Sequence, residues 1–365
     1  MRVKFFSLSY IKAVICVAIA SICMAGAQAD EASPFVSAKP IWVKGLDKEM
    51  NVTAGYRVVF KRPSGNKATL RITGHTLYRI YLNGEFVGHG PARGPHDYYR
   101  VDEWDLSGKM QKGENLLAVE VAGYNACSFY LINRPSFVQA ELLDNRGRVI
   151  ASTNGDGIPF DAVLPEGRVQ KVQRYSYQRP FSEVYRLKPD FDAWMRDPSA
   201  SIKKEECEEV GEKQYLPRRV DYTRFTKVSP KKIIGMGTLK TNVQPKNFWK
   251  DRSLTGIGPQ LNGFPESELT CIPSLELQTI VNEKLDDVDI PYVDENVEIQ
   301  LGACQCSVLD LGTNLSGFLG ATVEATQPTR LFFTFDEILT GNDVSFSRLS
   351  AVNAIEYDLE PGGFL

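Results

Sequence analysis

Histidine is the scarcest of the common catalytic residue types here, with three among 365 residues. So low a count argues against a histidine-centred nucleophilic triad. The local signatures of hydrolases and nucleotide-binding enzymes are missing as well: there is no GxSxG, no HExxH and no glycine-rich phosphate loop. Cysteine offers no metal or redox motif. Of seven cysteines, Cys16 and Cys23 fall in the first 29 residues. The other five (Cys127, Cys207, Cys271, Cys304 and Cys306) are an odd number, which excludes complete internal pairing, and their spacing matches no zinc framework. Cys304-Gln305-Cys306 puts two thiols on one face of a strand and reads as a pair of half-buried thiols rather than a metal clamp. Sustained amphipathic helical patterns, internal repeats and low-complexity tracts are also wanting.

No apolar run is long enough to span a bilayer. The longest, residues 13–24, follows Arg2 and Lys4 and precedes Ala27-Gln28-Ala29, so residues 1–29 read as an export signal with a small-x-small cleavage site. No lipoprotein-type box precedes Cys16 or Cys23. The expected product is soluble and exported, periplasmic or extracellular, with no membrane span. The net charge is −3, and without residues 1–29 the balance is 39 basic to 45 acidic side chains, net −6. That sign argues against nucleic acid or an anionic membrane as partner. The remaining length exceeds one ordinary domain, and two are expected.

What the chain does contain is short strands. Residues 41–44, 56–61, 68–74, 77–82, 85–87, 98–105, 115–122, 128–132, 138–143 and 149–151 alternate or run apolar between Gly, Asn and Pro turns, the pattern of an antiparallel sandwich. Asn83-Gly84 is the pair preferred by a type I′ hairpin, because both central positions need positive φ. Trp104, Phe129 and Phe137 read as core aromatics. Residues 174–187 look like a closing strand bent at Pro180. Residues 190–197 suggest a short helix, and the charge run KKEECEEVGEK a solvated linker. Strands resume from Lys231, with a long loop at 242–265, a short helix within 267–283, and strands at 297–301, 307–311, 317–324, 330–336, 344–347 and 354–359.

The densest polar and aromatic constellation is His89, Arg93, His96, Tyr98, Tyr99 and Asp102, in and beside the loop GHGPARGPHDYY. Two readings stand. A sugar site needs an aromatic face for ring C–H groups and fixed donors and acceptors for hydroxyls, and this loop holds both. Alternatively, Arg93 and Asp102 form a buried structural pair and His96 caps a turn. Asp336-Glu337 is an adjacent carboxylate pair, but neighbours on a strand point to opposite faces, so the two read as structural rather than as a glycosidase pair. Asn51-Val52-Thr53 and Asn314-Leu315-Ser316 fit the N-glycosylation triplet.

YRIYLNGEFVGHGPARGPHDYYRVDEWDLSGKMQKGENLLAVEV resembles the N-terminal sandwich of bacterial α-L-rhamnosidases of glycoside hydrolase family 78. LDLGTNLSGFLGATVEA, followed by LFFTFDEIL, Arg348 and AIEYDLEPG, is similar to the next sandwich of those enzymes. The resemblance implies an all-β chain of two antiparallel β-sandwiches in series, of jelly-roll, galactose-binding-like type. It implies residues 36–190 as the first sandwich, 191–214 as a linker and 215–365 as a second sandwich cut short at its C-terminal end. It implies the non-catalytic part of an exported hydrolase acting on glycans with terminal α-L-rhamnose. Both catalytic carboxylates of the family sit in an (α/α)6 barrel, so no residue here is assigned a catalytic role, and a separate barrel is the expected partner. Some members carry a calcium-dependent rhamnose-binding sandwich, whose ligands find no match in this chain. No cofactor is therefore expected, calcium being the one candidate. The competing class is a stand-alone carbohydrate-binding module using residues 89–102.

Overall fold

Alternating side chains over the first half of the chain produce long antiparallel strands. In the computed structural model, which describes residues 33–256, 258–291 and 298–364, they are β1 (Ile41–Val43), β2 (Val52–Lys61), β3 (Ala68–His75), β4 (Leu77–Leu82), β5 (Glu85–Gly90), β6 (Tyr98–Asp105), β7 (Glu114–Gly123), β8 (Phe137–Asp144), β9 (Val149–Ser152), β10 (Ile158–Pro159) and β11 (Asp161–Val163). All of these strands belong to one compact unit that begins at Ser37. The expected export signal lies outside the described residues.

One sheet runs β10-β9-β8-β3-β6 with β1 beside β8, and a second runs β11-β2-β7-β4-β5. Between them pack Trp42, Tyr56, Phe60, Leu70, Ile72, Ile80, Leu117, Val119 and Leu142, all fully buried. Each large apolar side chain of this kind contributes about 1.5–3 kcal/mol by leaving water. The β4–β5 turn has φ of +53° at Asn83 and +83° at Gly84, as the hairpin pattern requires. Asn83 ties that turn to β7: its Oδ1 accepts from the Leu116 amide at 2.8 Å and its Nδ2 donates to Asn115 Oδ1 at 3.0 Å.

The strand expected at 128–132 does not form, and Phe129 is not a core residue. Ser128 Oγ accepts from the amides of Tyr130 and Leu131, and the Ser128 amide donates to the Leu131 carbonyl at 2.9 Å. These are the groups a ladder would need, so the segment turns instead. Phe129 is 66 % exposed.

The segment expected as a linker carries structure. After β12 (Glu183–Leu187) come the one-turn helix α1 (Ala193–Arg196), β13 (Cys207–Glu209) and β14 (Gln214–Pro217). β13 pairs antiparallel with β1, and β14 pairs parallel with β6, so the first sheet has eight strands. Charged side chains are a normal guard on an edge strand, which is why the run resembles a solvated tether. Glu206 next to β13, for example, pairs with Lys44 at 2.8 Å.

The rest of the chain is again β: β15 (Lys232–Lys240), the short helix α2 (Pro273–Gln278), β16 (Val281–Pro291), β17 (Gln305–Asp310), β18 (Val323–Ala325), β19 (Thr329–Thr334), β20 (Leu339–Thr340), β21 (Asp343–Val344), β22 (Ala354–Leu359) and β23 (Gly362–Phe364). They form small sheets: β16-β15-β17, β12-β22-β19, β18-β23 and β20-β21. Residues 298–301 form no strand, Val297 lies outside the described residues, and the strand expected from 317 begins only at Val323. β12, expected to close the first sandwich, lies parallel to β22 in full register from Glu183↔Ile355 to Leu187↔Leu359.

Candidate functional site

The six residues singled out in the sequence divide between the interior and the surface. Asp102 on β6 is fully buried. Its carboxylate accepts from the Tyr78 hydroxyl and, at 2.9 Å, from Arg218 Nη1, while Trp104 Nε1 donates to the Tyr78 oxygen at 3.1 Å. Burial pushes the Asp102 carboxyl above its ordinary value against the pull of these hydrogen bonds. Asp102 therefore pairs with Arg218, not with Arg93. The Arg218 guanidinium also lies 4.0 Å from the Tyr222 ring centre, and Tyr222 packs on Trp104 at 4.4 Å. Gly88 and Gly90 make room for this network: a Cβ at Gly88 would sit 2.2 Å from the Trp104 ring, and one at Gly90 2.2 Å from Asp102 Oδ2. The GHG of the motif is thereby explained by packing.

His89 on β5 is half-buried between Phe225 and Phe318, each ring centre 5.4 Å away. Burial first, then the Arg218 charge, lowers its pKa, so it is neutral at pH 7. Tyr99 packs edge-on against Phe137 at 4.6 Å and His75 at 5.9 Å. Arg93, His96 and Tyr98 face solvent. The turn there closes through the backbone, the Tyr98 amide donating to the Pro95 carbonyl at 3.2 Å, and His96 makes no side-chain hydrogen bond among the described residues.

Arg93 leads to a cluster that spacing along the chain does not reveal. Its guanidinium lies over the Tyr130 ring at 4.7 Å, and Arg179 approaches the same ring at 5.4 Å. Arg252 sits over Tyr177 at 4.3 Å, and the exposed Phe129 meets Tyr177 at 5.6 Å, nearly perpendicular. These side chains come from four loops. Three of the loops are braced by one buried guanidinium, because Arg174 donates to the carbonyls of Cys127 at 2.7 Å, Arg179 at 2.9 Å and Leu261 at 2.7 Å. Arg174 is among the largest fully buried side chains in the protein. The signal is faint but present: SFYL (128–131) and RYSYQRPF (174–181) interleave aromatics and arginine with no acidic residue.

Two other charged clusters, around Arg348 and Arg330, are compensated from within. Asp336 and Glu337 lie beyond the end of β19 rather than on it, and both converge on Arg348, at 2.5 and 2.8 Å. Pairing with that guanidinium holds both carboxyls below their ordinary range. A surface cavity of about 430 Å³ is lined by Arg186, Lys188, Thr329, Arg330, Asp358 and Glu360, among others. Arg330 there binds Glu276 and Asp358, each at 2.6 Å. Beside it on β22, Glu356 is fully buried, neither of its oxygens accepts a hydrogen bond, and the nearest guanidinium nitrogen stands 3.6 Å away. Burial first, then Glu276, raises its pKa to about 7. Among the described residues no group of three His, Cys, Asp or Glu is placed to hold a metal ion, and no helix is long and apolar enough to cross a membrane.

No protein-family model matches the chain, and no curated protein matches it. Among solved structures, it is similar to the GH78 family rhamnosidase of Bacillus sp. GL1, at 23 % identity and a TM-score of 0.48 over 57 % of this chain and 22 % of that one. It is similar to the α-L-rhamnosidase of Aspergillus terreus, at 14 % identity and a TM-score of 0.49 over 90 % of this chain and 32 % of that one. A third likeness is to the Streptomyces avermitilis α-L-rhamnosidase complexed with L-rhamnose, at 16 % identity and a TM-score of 0.45, covering 87 % and 26 %. This chain thus spans about a third or less of the rhamnosidases it resembles.

Proposed function

We propose that this chain is the non-catalytic β-sandwich part of an exported α-L-rhamnosidase-like glycoside hydrolase, and that its sandwich contacts glycans bearing terminal α-L-rhamnose. The observation that carries the reading is the fit of the resembling motif to its place. Asn83-Gly84 makes the hairpin turn, and Gly88, Gly90, Asp102 and Trp104 pack into one network with Tyr78. In this reading the chemistry falls to a partner helical barrel and sugar contact to this chain.

A stand-alone carbohydrate-binding module is the second reading, favoured by the exposed rings and arginines around Phe129. The purified chain, incubated with an aryl α-L-rhamnoside, is expected to release no phenol. Turnover by this chain would overturn the non-catalytic assignment. Calorimetric titration with neutral rhamnosides tests the sugar contact, and an absence of heat across a panel of them would remove it.

A further inference from the structure

Among the described residues the cluster around Phe129 carries arginines that no carboxylate pairs with directly, the buried Asp251 acting only on Arg174 beneath them. Arg93, Arg179 and Arg252 are exposed, and among the described residues none has a carboxylate partner, their side-chain contacts being the rings of Tyr130 and Tyr177. The loops 126–136 and 174–181 hold three arginines and no acidic residue, in a chain whose net charge is negative. Asp97, the nearby acid on the first loop, is held by Arg134 at 2.6 Å.

Stacking matters chemically. A guanidinium lying on an aromatic face has lost much of its rotational freedom, while its in-plane N–H donors still point away from the ring, which suits two-pronged pairing with a carboxylate. The Phe129 ring, 66 % exposed, offers a flat apolar surface of the kind a pyranose ring covers with its C–H groups. The loops that carry Phe129 and Arg179 and the loop ending at Leu261 are held to one another by the buried Arg174, so these groups are arranged before any ligand arrives, and Arg93 reaches them by lying over Tyr130.

We infer that this end of the sandwich binds a carboxylate-bearing sugar unit of an acidic polysaccharide, with Phe129 against the sugar ring and Arg93, Arg179 and Arg252 around the carboxylate. The inference rests on the glycan-binding reading above and narrows its ligand. A phosphate polyanion such as single-stranded nucleic acid would need many more compensating cations than three on a protein of net negative charge.

The test uses the purified chain and four probes: a galacturonate oligomer, its fully methyl-esterified form, a neutral rhamnose oligosaccharide and a single-stranded DNA oligomer. Binding is expected to the acid form, weakened about tenfold or more by R93Q/R179Q, by F129A or by esterification, with the thermal midpoint of each variant unchanged. Equal binding of acid and ester, or DNA binding as tight as the acid, would overturn the inference. So would retention of the acid's affinity in R93Q/R179Q. Neutral rhamnoside binding that persists while the acid fails to bind would overturn the inference and leave the rhamnose reading standing.

Discussion

Two clusters in this molecule are built from the same materials, arginine on aromatic rings beside the loop that follows the Asn83-Gly84 hairpin, yet they do opposite things. In the interior cluster Arg218 lies on Tyr222 and binds the buried carboxylate of Asp102, which also holds Tyr78. In the surface cluster Arg93, Arg179 and Arg252 lie on Tyr130 and Tyr177 with no carboxylate partner among the described residues. The difference is whether the counter-charge is provided internally. Where it is, the cluster is complete and serves the fold, and where it is not, the solvated guanidinium donors are left open to the carboxylate inferred above.

That contrast is sharpened most by removing the internal counter-charge. Asp102→Ala leaves Arg218 and Tyr78 without their shared partner, and urea unfolding is expected to show a loss of about 3–5 kcal/mol with the m-value unchanged. A loss below about 1 kcal/mol would mean that the interior cluster is not structural. Next in size is Arg174→Met, which strands three carbonyls and should cost about 2–3 kcal/mol. It should also weaken glycan binding at the surface cluster, and undiminished binding would show that the loops hold their arrangement unaided.

Glu356 tests the same logic from the other side, because it is a buried carboxylate with no adequate cation. Its pKa of about 7 exceeds the ordinary glutamate value, so the folded state favours the protonated form. The stability it contributes is full below about pH 4.3 and is lost as pH rises through about 7. Facing it are Glu276 from α2, Arg330 from β19, Arg186 from β12 and Asp358 from its own strand. Glu356→Gln should raise the thermal midpoint at pH 8, by on the order of 2 kcal/mol of stability, and change little at pH 4. Equal effects at both pH values would contradict the assignment. The smallest effect belongs to the surface: Phe129→Ala should move stability by no more than about 0.5 kcal/mol. A larger loss would mean that the ring is packed after all.

The strands of the first sandwich are legible because period-2 alternation and the Asn83-Gly84 turn are local signals, and the bounds of β4, β6 and β22 follow from such signals residue for residue. Phe129 is misleading for an equally local reason. An apolar stretch looks like a strand until Ser128 takes its amides. The edge strands β13 and β14 are hidden because their charge is the feature that protects an edge. The site is only partly legible. His89, Arg93, His96, Tyr98, Tyr99 and Asp102 are neighbours in sequence, but they are spread over β5, a loop and β6, and burial changes along β6 itself: Tyr98 stands at its exposed first position and Asp102 in its buried middle. The partners of Arg93 come from segments far along the chain, and nothing in the local pattern announces that Arg174 will join them.

The parallel pairing of β12 with β22 has a consequence for how the protein is made. Residue 183 emerges from the ribosome long before residue 355, so β12 must wait with one hydrogen-bonding edge unfilled while the intervening chain is synthesised. A contact of such sequence separation closes late and slows folding. The first sandwich can assemble early around Trp42 and Leu70, but the sheet that anchors its closing segment can be finished only after residues 354–359 have been translated.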